Sequence, residues 1–397
     1  MSVQTPSPRG AGRGTLFAMA LAAGLAVANI YYNQPMLGVM SDSLHDARVS
    51  GWIPTLTQLG YACGLLFLLP LGDMLERRRL IVVQFTVLAV ALVLMALAPG
   101  LGMLALASIL VGAAATVAQQ IVPFAAIITP PEKRGAAIGI VMSGLLTGIL
   151  LSRTLAGLVS SVASWRTMFW VAVPIALVGA VLMARSLPAH HPATKVRYGK
   201  LLGSLIHLWR GEPVLRRAAV TQALLFASFS AFWTTLALRL AEPPLSLGAA
   251  SAGLFGIVGA VGVAMAPVAG RVADRRGPAP VIALGAAATI ASWLVFGLWS
   301  SLAGLIVGVI VLDFGVQIAL VSNQHLIYGL HPEYKSRLNT LFMTTMFVGG
   351  ALGSLAAATA WHHGGWIAVS VLGGVLPIGA LALSLTQRRT GHTEATV

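Results

Sequence analysis

From Leu80 to Pro99 the chain runs twenty residues without a single charge. That is the length of helix needed to cross the roughly 30 Å hydrocarbon core of a bilayer. Similar apolar runs fall near residues 15–40, 50–71, 79–98, 101–128, 135–161, 167–186, 215–240, 250–270, 279–299, 301–327, 338–360 and 365–386, twelve in all. Lipid offers the backbone no hydrogen-bond partner, so a crossing segment must satisfy itself as a helix. A barrel would need short strands of alternating polarity, and these runs are continuously apolar. The expected fold class is all-α integral membrane with twelve transmembrane helices.

Composition agrees. Only 9% of residues are charged and 57% are hydrophobic, against about 25% charged in a soluble domain. The net charge of +14 sits in short clusters between apolar runs, not on one face, so nucleic acid is not an expected partner. Cys63 is the only cysteine, which excludes an internal disulfide and a cysteine metal site. His190 and His191 have no carboxylate beside them in sequence. No metal or other cofactor is expected. The first run extends to about Met40, longer than a signal peptide's apolar core, and reads as a retained span.

Lys and Arg in the loops set orientation. With the N-terminus in the cytoplasm, 21 of them fall inside and only Arg48, Arg166 and Arg239 outside; Arg153 lies within a span. Both termini are expected in the cytoplasm. The chain divides into a tail (1–14), a first half (15–186), a linker (187–214), a second half (215–386) and a second tail (387–397). The linker reads as solvated.

Two charged stretches in this apolar chain have the same place in the two halves. "LPLGDMLERRRLI" (69–81) and "GRVADRRGPAP" (270–280) each join a second span to a third, and Asp73 and Asp274 are 201 positions apart. Pro131-Glu132 and Pro332-Glu333 repeat the same offset. Long parallel repeats of this kind produce two six-helix halves related by a pseudo-two-fold along the membrane normal.

With these motifs the sequence resembles the major facilitator superfamily over essentially its whole length. Gly270 to Gly277 follows that family's loop pattern G-x-L-a-D-r-x-G-r-k closely, and the first copy keeps Asp73, Arg77 and Arg78. "NIYYNQP" (29–35) further resembles small bacterial exporters and drug/proton antiporter-like members. Arg153-Thr154 stands where family antiporters carry a Gly-Pro region, and Ser108 where many members have an arginine. The loop carboxylates can accept backbone N–H groups and pair with arginines. Asp73, Arg77, Arg78, Asp274 and Arg275 are therefore candidates for a cytoplasmic gate, the alternative being topology signals alone.

The resemblance implies that the first, fourth, seventh and tenth spans line a central cavity. Those spans carry Asn29, Tyr32, Asn33 and Gln34; Gln119 and Gln120; Trp233; and Gln317, Asn323 and Gln324. Polar groups in spans are costly and are functional candidates by default. Asn29, Tyr32, Asn33 and Met36 share one helical face, with Tyr31 and Gln34 beside it and Pro35 inviting a kink. The alternative for each is interhelical hydrogen bonding, worth about 0.6 kcal/mol. Asp313 is the one acid deep in a span and Arg153 the one arginine. At 1.5 Å per residue they lie about 20 Å and 27 Å from the cytoplasmic ends of their helices. We expect them to pair across the halves, with Asp313 taking the coupling proton; a static pair, or titration of His325 instead, are the alternatives.

The expected protein is no enzyme. It is a monomeric transporter in the bacterial inner membrane, with the bilayer, a small organic substrate and protons as partners. Alternating access with proton-coupled efflux is the expected mechanism. A uniporter or lipid-type translocase without proton coupling is the alternative.

Overall fold

The computed structural model describes residues 12–191, 197–263, 277–331 and 334–394. Its described secondary structure is helical throughout. Helix α1 (Arg13–Ala28) gives way to a turn and a short 3-10 segment (Gln34–Met36) before α2 (Leu37–Leu44). Pro35 is in that break, where its missing N–H removes one helical hydrogen bond. Then follow α3 (Val49–Cys63), α4 (Arg77–Leu97), α5 (Leu101–Ala115), α6 (Val117–Ile127), α7 (Arg134–Val162) and α8 (Trp165–Ser186). After α9 (Tyr198–Gly211) come α10 (Pro213–Ala241), α11 (Ala249–Val263), α12 (Pro278–Leu298), α13 (Leu302–Tyr328) and α14 (Lys335–Glu394).

Nine helices among the described residues are long and apolar enough to cross a membrane, and α1 and α11 are shorter apolar helices. Helix α14 is two helices joined at Gly364 and Gly365, whose backbones are non-helical. Gly365 has φ of +57°, a conformation glycine adopts without penalty. Contacts with α10 show the reversal. Gly349 and Gly353 meet Ala223 and Ala227 in rising order, whereas Gly373 and Gly379 meet Ser228 and Leu224 in falling order.

The helix ends follow local chemistry. The Glu76 carboxylate accepts the N–H groups of Arg78 and Arg79 at the start of α4 (2.9 and 2.8 Å), a cap for otherwise orphaned donors. Ser164 and Ser301 do the same for α8 and α13. Proline stands at the first position of α10 and α12, where its missing N–H costs nothing.

Between helices, small residues bring backbones together, as in other membrane bundles. A Cβ on Gly144 or Gly148 of α7 would strike the α1 backbone at Ala20 or Gly24. Large apolar side chains such as Val162, Leu298 and Ile367 are mostly exposed, at 85, 86 and 77%. Lipid explains such a surface; water does not.

One end of the bundle carries Arg77, Arg78, Arg134 and Arg337, and is called the basic end below. Helix α9, within the segment expected to be a solvated linker, packs at that end. Leu201, Leu205 and Leu208 lie on one face and are buried, two of them against Leu215, Ile327, Leu338 and Phe342 of the second half. The Tyr198 hydroxyl donates to the Phe67 carbonyl of the first half at 2.9 Å. The linker therefore touches both halves. Spacing of i, i+4 and i+7 is the sequence signal for that buried face.

Candidate functional site

Four elements converge at the middle of the bundle: the α1–α2 break, α7, α10 and α13. From α7, Arg153 is buried, and its Nε donates to the Gln34 Oε1 of the break at 2.7 Å. The guanidinium carbon lies 4.0 Å from the Trp233 ring of α10 and 4.5 Å from the Tyr31 ring. Both rings are at cation–π distance, and a desolvated arginine gains most from such faces. From α13, Asp313 is buried at 6% exposure.

The two charges do not meet directly. Ion pairs among the described residues join Asp46 to Arg48, Asp73 to Arg77, Glu242 to Arg239 and Glu212 to His331, and involve neither Arg153 nor Asp313. Trp233 neighbours both. Helix α11 closes the other side with glycines at three-residue spacing. A Cβ on Gly256 would sit 3.1 Å from the Arg153 Cβ, and one on Gly259 would strike the Asp313 carboxylate and lie 3.3 Å from Trp233 Cζ2. Arg153 Nη2, Trp233 Nε1 and Asp313 Oδ1 are all buried and have no hydrogen-bond partner among the described residues.

An aromatic series leads away from this point toward the basic end. Centroids of Trp233 and Phe229 are 6.0 Å apart, Phe229 and Phe226 5.3 Å, Phe226 and Phe347 5.2 Å, and Phe347 and Tyr61 4.3 Å. The Tyr61 hydroxyl accepts from Gln119 Nε2 at 3.1 Å.

The halves are tied by two contacts, one near the depth of Trp233 and one nearer the end opposite the basic one. Thr55 donates to the Ala351 carbonyl at 3.2 Å and Gln58 to Ser354 Oγ at 2.9 Å, while Ser230 and Thr234 donate into the same group. Across from these, Thr154 donates to the Gly253 carbonyl at 3.1 Å, and a Cβ on Gly157 would lie 3.0 Å from Gly253 Cα. At the basic end a cavity of about 50 Å³ is lined from both halves by Asp73, Arg77, Gln120, Leu205 and Arg337, among others.

Of the residues singled out in sequence, Gln34, Arg153, Trp233 and Asp313 come together. Gln317 is half-buried one turn along α13 from Asp313. Asn33 instead donates to Thr57 Oγ1 at 3.2 Å, and Asn29 to the carbonyls of Leu25 and Ala26. Tyr32 is buried within the apolar core. Gln120 donates to the Leu68 carbonyl at 2.8 Å, Asn323 to Gln222 at 3.2 Å, and Gln324 to Asn339 at 3.3 Å. Asp73 pairs with Arg77 at 2.8 Å, and the Arg78 N–H is held by Glu76. Asp274 and Arg275 lie outside the described residues. Tyr31, Gln58, Tyr61, Phe226, Phe229 and Phe347 complete the arrangement. Gln58, an amide inside an apolar run, had a sequence signal; the rings had none, because apolar rings face lipid and cavity alike.

Comparison with known proteins places this geometry. The sequence matches the Major Facilitator Superfamily over residues 19–354 and again over 218–396. The uncharacterized transporter YgaY of Escherichia coli O157:H7 is 44% identical over 363 residues, covering 91% of this chain and 92% of its own. A protein of Streptomyces coelicolor named a probable transporter is 34% identical over 395 residues, covering 97% of this chain and 91% of its own. Among solved structures, an inward-facing bacterial homologue of the human lysosomal transporter Spinster superposes with a TM-score of 0.75 at 15% identity. It covers 95% of this chain and 96% of its own. At that identity the likeness is one of fold.

Proposed function

This chain belongs to the Major Facilitator Superfamily, and we propose that it is a proton-coupled transporter that exports a small organic molecule by alternating access. It is a multi-pass membrane protein of the transporter type. The finer reading rests on one observation: a buried carboxylate, Asp313, that has no ion-pair partner and one orphaned oxygen. An unpaired charge at such a site costs several kcal/mol. Taking a proton removes that cost. The charged and titratable neighbours of Asp313 are Arg153 and Tyr31. Arginine keeps its charge, so the carboxylate is the group able to change state.

The asymmetry of Lys and Arg supports placing the basic end in the cytoplasm of a bacterial inner membrane, with twelve crossings and both termini inside. In the arrangement described, the halves touch from the depth of the central site outward, through Gln58–Ser354 and Gly157–Gly253. Rocking that parts these contacts opens Asp313 to external protons. Rocking back, with the Asp73–Arg77 cluster and α9 loosened, opens the aromatic series to the cytoplasm. One charge moving through 100 mV supplies about 2.3 kcal/mol, enough to drive accumulation of a neutral or singly charged solute.

The test uses inverted membrane vesicles, whose cytoplasmic face points outward. Acidifying the lumen should drive uptake of a transported solute by wild type and not by Asp313→Asn. Uptake indifferent to the gradient favours the uniport reading, in which Asp313 is structural.

A further inference from the structure

Asp313 can shed its charge by binding a proton, but Arg153 cannot lose its own. The permanent charge of the central site is therefore positive. Its single hydrogen-bond acceptor among the described residues is the Gln34 amide oxygen. Nη2 is buried and unpartnered, whereas the neighbouring indole N–H of Trp233 has the Asp313 carboxylate beside it.

The geometry narrows the ligand further. Tyr31 and Trp233 cover the guanidinium at 4.5 and 4.0 Å, so a ligand meets its edge. An arginine edge is a planar fork that matches a carboxylate through two parallel hydrogen bonds. One arginine balances one negative charge. A dianion would leave excess negative charge beside Asp313. Past the guanidinium the rings from Trp233 to Tyr61 pack on one another, an apolar face that parting of the halves would offer to a flat apolar body.

We propose that the transported solute is an amphipathic organic monocarboxylate, its carboxylate held on the edge of Arg153 and its apolar body along the Trp233–Phe229–Phe226–Phe347 series. This deepens the transport reading and rests on it. Arg153 is then the specificity residue and Asp313 the coupling residue, so that the anion and the proton act on different groups. The halves must part for the ligand to reach Arg153.

The experiment is equilibrium binding to purified full-length protein in detergent, by calorimetry and by shift of the melting temperature. The probes are 3-phenylpropanoate, indole-3-acetate and octanoate, each beside its own amide. A charge-assisted bidentate contact predicts that at least one acid binds about tenfold or more tighter than its amide. Arg153→Gln should erase that preference, Arg153→Lys should retain part of it, and Asp313→Asn should keep it. If Arg153→Gln fails to fold, the partial loss in Arg153→Lys carries the test. The proposal is overturned if no acid outbinds its amide, or if the preference survives loss of the guanidinium in the variant that folds. Binding is measured without a gradient. A protein that prefers the acids but moves no protons would sink the coupling reading and leave this one standing.

Discussion

The Trp233 ring lies 4.0 Å from the Arg153 guanidinium, and its edge and the Asp313 carboxylate crowd the same glycine, Gly259. A desolvated cation–π contact is worth about 2 kcal/mol. Trp233→Leu should therefore lower the melting temperature by several degrees, and Trp233→Phe, which keeps a ring face, by much less. Equal losses in the two variants, read by thermal unfolding in detergent, would show that the ring acts only as volume.

Gly259 faces Asp313 so closely that a methyl group there would strike the carboxylate. Gly259→Ala should destabilise by about 1–3 kcal/mol, the usual cost of overpacking. Gly102→Ala is the control, because nothing lies within 4 Å of its Cβ position and alanine is the better helix former. It should be neutral or slightly stabilising. A neutral Gly259→Ala would mean that α11 can withdraw from the site without penalty.

The contact between halves farther from the basic end depends on backbone approach at Gly157 and Gly253. Gly253→Val should prise that contact open and shift the population toward the outward-open arrangement. Ser354, fully buried at the other contact between halves, reports the shift. On a Cys63→Ser background, Ser354→Cys should react faster with an externally added maleimide when Gly253→Val is present. An unchanged rate would show that α7–α11 packing does not control outer access.

Glu76 carries a pH dependence outside the membrane. Partial burial pushes its carboxyl up, but the N–H groups of His190, Arg79 and Arg78 outweigh that and hold it below the ordinary range. A depressed folded-state pKa means that the stabilisation is present above the unfolded value, about 4.3, and is lost as pH falls through the folded one. Glu76→Gln should cost about 1 kcal/mol at pH 7, as for other lost caps. Melting curves of wild type and variant should stay apart down to about pH 4.3 and converge only below it, as pH falls through the folded-state value. A gap that does not change with pH would assign the loss to packing.

Arg153 and Asp313 are visible in the sequence because charge within an apolar run is expensive wherever it falls. That they do not form a direct ion pair is not visible. It depends on how far α11 can press inward, which three glycines and their neighbours decide together. Reading residues 29–36 as one continuous helix puts Asn29, Tyr32 and Asn33 on the cavity face. The helix ends at Ala28, the following turns rotate the chain, and Tyr31 and Gln34 reach Arg153 instead. The transmembrane runs and the family are legible because bilayer thickness imposes one length on every span. Helix α9 shows the converse: its leucines repeat correctly, but a short amphipathic helix carries no mark of what it will lie against.

Proton movement coupled to solute movement tests the account most directly. In proteoliposomes holding a pH-sensitive dye, a solute that stabilises the purified protein is added outside, with no gradient imposed. Wild type should move protons opposite to the solute, and Asp313→Asn should bind and exchange the solute while moving none. Proton movement that persists in Asp313→Asn, or solute flux in wild type with no proton movement, would contradict the central claim.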